Sequence, residues 1–108
     1  MINRVVILGR VLSTPVLEAE RSLCHLELEV AHPCFPDGEV EPTRVAVRFE
    51  GEHRPAVIDK WVREGDLLQV SGHLAWREGA LCVEGESFEF MNARLATRYF
   101  DQEARRVA

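Results

Sequence analysis

The chain has 108 residues, of which 46% are hydrophobic and 29% are charged, and these proportions predict a single soluble globular domain. Its 13 basic and 18 acidic residues give a formal net charge of -5, which argues against a protein that holds nucleic acid by its overall charge. No apolar run approaches the roughly 20 residues of a membrane span, and the N-terminus lacks the features of a signal peptide. We therefore expect a cytoplasmic protein with no membrane contact, whose cysteines are reduced.

The first predicted element is a strand over residues 3–12, NRVVILGRVL, with apolar side chains on both faces. Val5 and Ile7 point to one face, and Val6 and Leu8 point to the other. A strand that is apolar on both faces lies inside a large fold or meets a partner subunit. Because this chain is short, we predict an oligomer interface at these four residues.

Two half-buried strands follow a turn at residues 13–15. Residues 23–30, LCHLELEV, and residues 43–50, TRVAVRFE, both alternate between apolar and polar side chains. In the second of them Val45 and Val47 would fill the core, so that Arg44 and Arg48 would face outward. Residues 32–42 between the strands contain three prolines and a Pro-Asp-Gly step, which predict a loop or a long hairpin arm.

A helix is predicted over residues 53–65, with Pro55 in its first turn and Gly65 as its stop. Two strands, residues 66–77 and 80–90, then flank a turn at Glu78–Gly79. The apolar residues change parity near Gly85, which predicts a β-bulge there. Residues 92–108 have a helical composition, so we divide the chain into a barrel domain, 1–91, and a C-terminal helical extension, 92–108.

The order of these elements is typical of one all-β architecture. Five strands with a helix between the third and the fourth predict a Greek-key barrel of the oligonucleotide/oligosaccharide-binding (OB) type, followed here by the C-terminal helix.

Three stretches resemble bacterial single-stranded DNA-binding proteins. INRVVILGRVLSTPVLE is similar to their opening strand and turn, TRVAVRFEG to the strand before the helix, and WVREGDLLQVSGHL to the helix end and the next strand. The resemblance spans roughly residues 2–91 and extends to the PriB family, whose members keep only the barrel. It implies single-stranded DNA as the partner, assembly as homodimers or homotetramers through the first strand, and a role with other proteins in replication, replication restart or repair.

Some features depart from that family. Its larger members carry a long tail with an acidic, Phe-ending tip, whereas this chain ends in DQEARRVA. Of three family positions that stack on bases, which fall near Phe35, Thr43 and Gly79, only Phe35 offers a replacement ring. A basic family position after the turn proline is Glu18 here. The different C-terminal end places the chain closer to PriB or to a shortened paralogue, whereas the missing stacking residues and Glu18 argue against tight, sequence-blind coating of single strands.

The candidate nucleic-acid contacts combine basic and aromatic side chains. Strand parity places His73 and Arg77 outward, whereas Trp76 shares the parity of Leu74 and is predicted to pack. Matching Phe49 to a base-contacting Phe of the family conflicts with an outward Arg48, so we follow the periodicity and keep Phe49 as a second candidate for stacking. The predicted set is Arg4, Arg10, Phe35, Arg44, Arg48, Phe49, His73 and Arg77, and for each the alternative is a solvated or structural side chain.

Catalysis finds little support in the sequence. The four histidines lack metal-ligand spacing, and there is no Gly-rich phosphate loop, nucleophile elbow or HExxH motif. We predict a protein without enzymatic activity, cofactor or metal that binds single-stranded DNA. The alternative is an oligomeric OB-fold module for protein interactions, with weak or no binding of nucleic acid; the acidic balance and the missing stacking positions favour it.

Overall fold

The structure, a computed structural model, describes residues 1–18, 20, 22–30 and 42–91. It contains six strands: β1 (Val5–Val11), β2 (Val16–Glu18), β3 (Leu23–Val30), β4 (Thr43–Glu50), β5 (Leu67–Arg77) and β6 (Ala80–Phe90). One helix, α1 (Arg54–Trp61), connects β4 to β5. The predicted C-terminal helix of residues 92–108 and the loop containing Phe35 lie outside the described residues, and the division into two domains remains a prediction.

The strands close into a barrel. Their order is β1-β5-β6-β4-β3, and β1 returns to β3 through the pairs Arg10–Glu29 and Val11–Leu28. All neighbours are antiparallel except β4 and β6, whose parallel contact consists of only Val47–Val83 and Arg48–Glu84. This is the predicted five-stranded OB barrel, with β2 as an additional short strand that pairs with β3. The sequence prediction missed β2 because three residues show too little alternation to identify a strand.

The barrel interior is filled by aliphatic and aromatic side chains from every long strand and from α1. The fully buried residues include Val11, Leu28, Val47, Phe49, Ile58, Val62, Leu68, Val70 and Val83. Burying such side chains stabilises the fold by about 1.5–3 kcal/mol each relative to exposing them. Within the described ranges, no helix is long and apolar enough to cross a membrane.

The hairpin of β5 and β6 is the longest pairing in the fold. Its turn residues, Glu78 and Gly79, have φ angles of 52° and 80°, the positive pair that a type I′ turn requires. The predicted bulge is confirmed: Ser71 pairs with Ser87 but Gly72 pairs with Gly85, so Glu86 is the extra residue. Gly85 is required at this point, because a Cβ there would overlap with the Phe49 ring.

The helix ends earlier than the sequence predicts. Val62 is extended, with φ of -85° and ψ of 133°, so α1 stops at Trp61 and Gly65 lies beyond it. The Arg63 guanidinium donates hydrogen bonds to the carbonyl oxygens of Asp59, Lys60 and Val62 at 2.8–2.9 Å. These bonds satisfy acceptors that the end of a helix leaves free.

The first strand has two different faces, which corrects part of the interface prediction. Val5 and Ile7 pack against the core, while Val6 and Leu8 are 58% and 46% exposed. Only Val6 and Leu8 are therefore placed to meet a partner. Val5 and Ile7 are apolar because they close the barrel against β5.

Candidate nucleic-acid interface

The candidate site is the outer face of β3, β4 and the β5–β6 hairpin. Strand pairing arranges its side chains in two rows. One row runs Arg10, Glu29 and Arg44 across β1, β3 and β4, and the other runs His25, Arg48, Glu84 and His73 across β3, β4, β6 and β5. Side chains directly opposite each other on neighbouring strands have Cβ atoms about 4.5–5.5 Å apart. Each row therefore places one carboxylate between basic groups.

A groove of about 210 Å³ lies on this face between β4 and the hairpin. Ala46 and Val47 line one side, and Ala80, Leu81 and Cys82 line the other. The groove exists because β4 and β6 pair only at Val47–Val83 and Arg48–Glu84 and separate toward their N-terminal ends. Its remaining lining comes from His25, Leu26, Arg48, Arg77 and Glu78.

Glu84 holds two arginines at the end of the groove. Its Oε1 accepts a hydrogen bond from Arg77 Nε at 2.7 Å and lies 3.3 Å from Arg48 Nε. Arg48 Nη2 also donates a hydrogen bond of 3.2 Å to Glu50. Arg48 and Glu84 are only 6% and 8% exposed, so this network connects β4, β5 and β6 under little solvent. The hydrogen bond to Glu84 is the main cause of a raised pKa of Arg77, which therefore keeps its charge.

The contact between Arg48 Nε and Glu84 is an ion pair but not a hydrogen bond. Although 3.3 Å separates the atoms, the contact does not satisfy hydrogen-bond geometry, and Arg48 Nε is a buried donor without a hydrogen-bond acceptor. Leaving a buried donor unsatisfied is costly.

Cys82 contributes to the groove as a thiol and not as a thiolate. Burial is the main cause of its raised pKa, and the Glu84 carboxylate raises the pKa further, against the opposing effect of Arg48 and Arg77. In the core, burial raises the pKa of Cys24 to about 11. Both thiols are therefore protonated near neutral pH and act as small packing groups.

The prediction that Arg48 faces solvent is wrong. Its parity is as predicted, because Val47 and Phe49 point to the core and Arg48 points away from them, but the hairpin and Glu84 cover it. Arg44 is exposed on the same face of β4, as the alternation indicates, and its partner across the strands is Glu29. Arg77 lies beside Arg48 because both contact one carboxylate oxygen.

The other basic candidates lie farther along the sheet. Arg10 is exposed in the row with Glu29 and Arg44, and Arg4 is exposed just before β1. His73 faces outward as predicted, and its Nδ1 is 2.9 Å from Glu86 Oε1. The structure therefore brings Arg10, Arg44, Arg48 and Arg77 to one face, although their charge is partly balanced there by acidic neighbours.

The aromatic candidates differ most from the prediction. Phe49 is fully buried, with its ring edge-on to Phe88 at 5.7 Å between centroids, so it cannot stack on a base without opening the barrel. Trp76 is 68% exposed and does not pack as predicted. Its parity is that of the core, but the hairpin extends past the barrel at this point. The core-side face of the hairpin tip therefore exposes Leu74, Trp76 and Leu81.

Sequence reasoning missed Glu84 and the groove. The outward parity of Glu84 indicates a solvated carboxylate, and only its parallel pairing with Arg48 shows otherwise. A parallel contact between strands 30 residues apart leaves no local signal in the sequence. Among the described residues, no three His, Cys, Asp or Glu side chains form a group that could hold a metal ion.

Comparisons with known proteins identify the fold and not the family. No protein-family model matches this sequence, and no curated protein matches it. A small single-stranded DNA-binding protein from Streptomyces coelicolor matches in structure, with a TM-score of 0.70 and 17% identity over 83% of this chain and 95% of that one. The second single-stranded DNA-binding protein of Mycobacterium smegmatis also matches in structure. Its TM-score is 0.68 and its sequence identity is 16%, over 87% of this chain and 93% of that one.

A third structure contains a ligand. The Plasmodium falciparum single-stranded DNA-binding protein, solved in complex with single-stranded DNA, has a TM-score of 0.66 and 15% identity over 85% of this chain and 96% of its own. The resemblance seen in the sequence therefore extends to nearly the whole length of these three proteins. The chain has the OB fold that they share.

Proposed function

We propose that this chain binds single-stranded DNA, without catalysis, along the outer face of β3, β4 and the β5–β6 hairpin. The observation that carries the proposal is the groove on this face of an OB barrel, which Arg48 and Arg77 line, with Arg44 exposed on the same face of β4. The three structures with the same fold are named as single-stranded DNA-binding proteins, which supports the choice of ligand. The proposed setting is replication, replication restart or repair in the cytoplasm.

Phosphate contacts fall to the exposed arginines. Arg10 and Arg44 flank Glu29 in one row, so two positive charges face one negative charge there. Arg77 is half-exposed and can turn one nitrogen to a phosphate while Nε stays on Glu84. Arg48 is buried, so in this proposal it contacts the ligand only from within the groove that it lines. Arg4 and His73 extend the path toward the start of β1, and Phe35 remains a stacking candidate.

The proposed assembly is a homodimer through β1. Val6 and Leu8 are exposed on one face of a strand whose other face closes the barrel. The described residues do not cover these two side chains, and neighbouring positions across the sheet are Ser71 and Gln69, which are uncharged. Along β1 the same face continues to the exposed Arg10, so the apolar pair has neutral neighbours across the sheet and a basic neighbour along the strand. An exposed apolar pair of this kind fits a self-complementary contact about a two-fold axis.

A protein-interaction module is the second candidate. Leu74, Trp76 and Leu81 form an exposed apolar face on the hairpin tip, opposite to the arginines. Contiguous exposed apolar surface indicates an interaction site. Because Glu29 and Glu84 partly balance the arginines, the positive charge alone does not decide between the two functions.

Anisotropy of a labelled dT oligonucleotide, measured over a range of salt concentrations, tests the first function. We expect binding that weakens with salt, because phosphate contacts release counterions. Arg44→Ala should lower the affinity and reduce the slope of log K against log salt by about 0.7, the value for one phosphate contact on a single strand. The matched control is Arg54→Ala, which removes an exposed arginine at the start of α1.

The outcomes separate the two candidates. An unchanged slope in Arg44→Ala, with tight binding retained, would remove Arg44 from the interface. No binding at low salt by folded wild-type protein would contradict the DNA-binding proposal and leave the interaction module.

A further inference from the structure

We infer that the groove between β4 and β6 accepts a single unstacked nucleobase. The inference rests on the proposed binding of single-stranded DNA and adds to it a site for one base. The residues concerned are Ala46 on β4, Ala80 on β6, and the Arg48 and Arg77 side chains that border the groove.

The walls of the groove are two strand edges. Among the described residues, β4 pairs with β6 only at Val47–Val83 and Arg48–Glu84, so the β4 edge before Val47 has no partner strand. The edge of β6 from Ala80 to Cys82 that points away from β5 has none either. Strand edges present backbone N–H and C=O groups. These donors and acceptors suit the hydrogen-bonding edge of a base, which is recognised in single strands by the same kinds of group.

The size of the groove suits a small occupant such as one base. At about 210 Å³ it is smaller than the roughly 300–1,000 Å³ of sites for drug-sized ligands. An additional peptide strand would need room for several residues along the open edge. Ala46 and Ala80 create the space because each carries only a methyl group, and both are exposed, so neither is needed in the core.

The charges in the groove fit a neutral ring better than a phosphate. Arg48 and Arg77 are balanced by Glu84, and the Glu78 carboxyl also belongs to the lining. A carboxylate repels a phosphate but accepts hydrogen bonds from the ring N–H or the amino group of a base. Guanidinium planes stack on bases, and Arg48 Nε is the buried donor that lacks a hydrogen-bond acceptor. The carboxylates of Glu78 and Glu84 therefore favour a base over a phosphate in this groove.

The test compares two labelled oligonucleotides with the same number of phosphates, one of dT and one made entirely of abasic nucleotides. Wild-type protein should bind the dT oligonucleotide more tightly, by about 5- to 100-fold if one base is seated. Ala46→Leu fills the groove and should bring this ratio close to one, while the affinity for the abasic oligonucleotide stays within about twofold. Ala56→Leu, an exposed alanine of α1, is the matched control and should keep the wild-type ratio.

The possible results distinguish this inference from the broader proposal. Equal affinity of wild-type protein for both oligonucleotides, or an unchanged ratio in Ala46→Leu, overturns the base site while salt-sensitive binding of the abasic oligonucleotide preserves the DNA-binding function. Failure of folded wild-type protein to bind either oligonucleotide overturns both. Ala80→Leu fills the groove from its other wall, and it replaces Ala46→Leu if circular dichroism shows that variant to be unfolded.

Discussion

Arg48 and Glu84 are oppositely charged side chains that are both buried. A buried charge is tolerated only when it is paired, and removing one partner leaves the other without compensation. Glu84 would retain Arg77 if Arg48 were lost, because the Arg77 bond is the shorter of the two contacts, 2.7 Å against 3.3 Å. The pair therefore stabilises the parallel contact of β4 with β6. Arg77 reduces the loss of stability when the pair is broken.

The first prediction at this scale concerns stability. Arg48→Met should lower the free energy of unfolding by about 1–3 kcal/mol, the range for leaving a buried polar group unsatisfied. Arg44→Met, the same change four residues earlier on β4 and exposed, should stay within about 0.5 kcal/mol of wild type. Urea unfolding of the three proteins measures both values. Equal stability of the two variants would show that the network around Glu84 is solvated.

The strand face to which each side chain points was predictable from the sequence, but its exposure to solvent was not. Alternation correctly assigns Val47 to the core and Arg48 to the opposite face, because side chains of a strand alternate whatever surrounds it. Burial depends on which other strand covers that face. For this reason Arg48 is buried although it points outward, and Trp76 is exposed although it has core parity.

At the scale of elements, the β5–β6 hairpin determines the shape of the site. Its bulge at Glu86 shifts the register of pairing. As a result Val83, before Gly85 in the chain, and Phe88 and Phe90, after it, all face the core. Beyond the bulge, the hairpin extends past the barrel and forms one wall of the groove. Gly85 allows this bend because the Phe49 ring occupies the space of a side chain.

A double-mutant cycle tests the contact between Gly85 and Phe49. Gly85→Ala should destabilise the protein by about 1–3 kcal/mol, as overpacking of a core does. Phe49→Leu replaces the ring that a Cβ would meet with a smaller side chain. Gly85→Ala should therefore lower the free energy of unfolding less in that background, with a coupling energy of about 0.5–3 kcal/mol. Thermal or urea unfolding of the four proteins gives this energy. Strict additivity would mean that the bend has another cause.

Most elements could be predicted from local patterns. Residues 23–30 and 43–50 alternate, residues 80–90 alternate on each side of the bulge near Gly85, and the structure has strands with those bounds. The end of α1 was not predictable in this way, because it depends on the Arg63 side chain bonding to three carbonyls. The separation of β4 from β6, on which the groove depends, likewise follows from closure of the barrel and not from either strand alone.

At the scale of the whole molecule, a local basic face contrasts with an acidic total charge. The net charge is -5, yet Arg10, Arg44, Arg48 and Arg77 share one face, and Arg10 follows Val6 and Leu8 along the outer face of β1. An acidic protein with a local basic face keeps the attraction to phosphate at short range, because salt screens charges beyond about 10 Å.

Assembly provides the prediction at this scale. The wild-type protein should sediment with twice the 12.3 kDa mass of one chain, as expected for the proposed dimer. Val6→Asp should give the mass of a monomer, because it places two carboxylates near the two-fold axis. Val16→Asp is the control, since Val16 on β2 is 60% exposed against 58% for Val6. A wild-type monomer, or a dimeric Val6→Asp variant, would contradict the β1 interface.

The short parallel contact between β4 and β6 has a consequence for the rigidity of the barrel. Two residue pairs join these strands, and two join β1 to β3, whereas ten join β5 to β6, so the barrel wall is held by few residue pairs at two places. Local opening of a protein begins where the fewest contacts must break. A base bound by both edges of the proposed groove would connect β4 to β6 at one of these places, and a ligand that binds only the folded protein raises the free energy of unfolding.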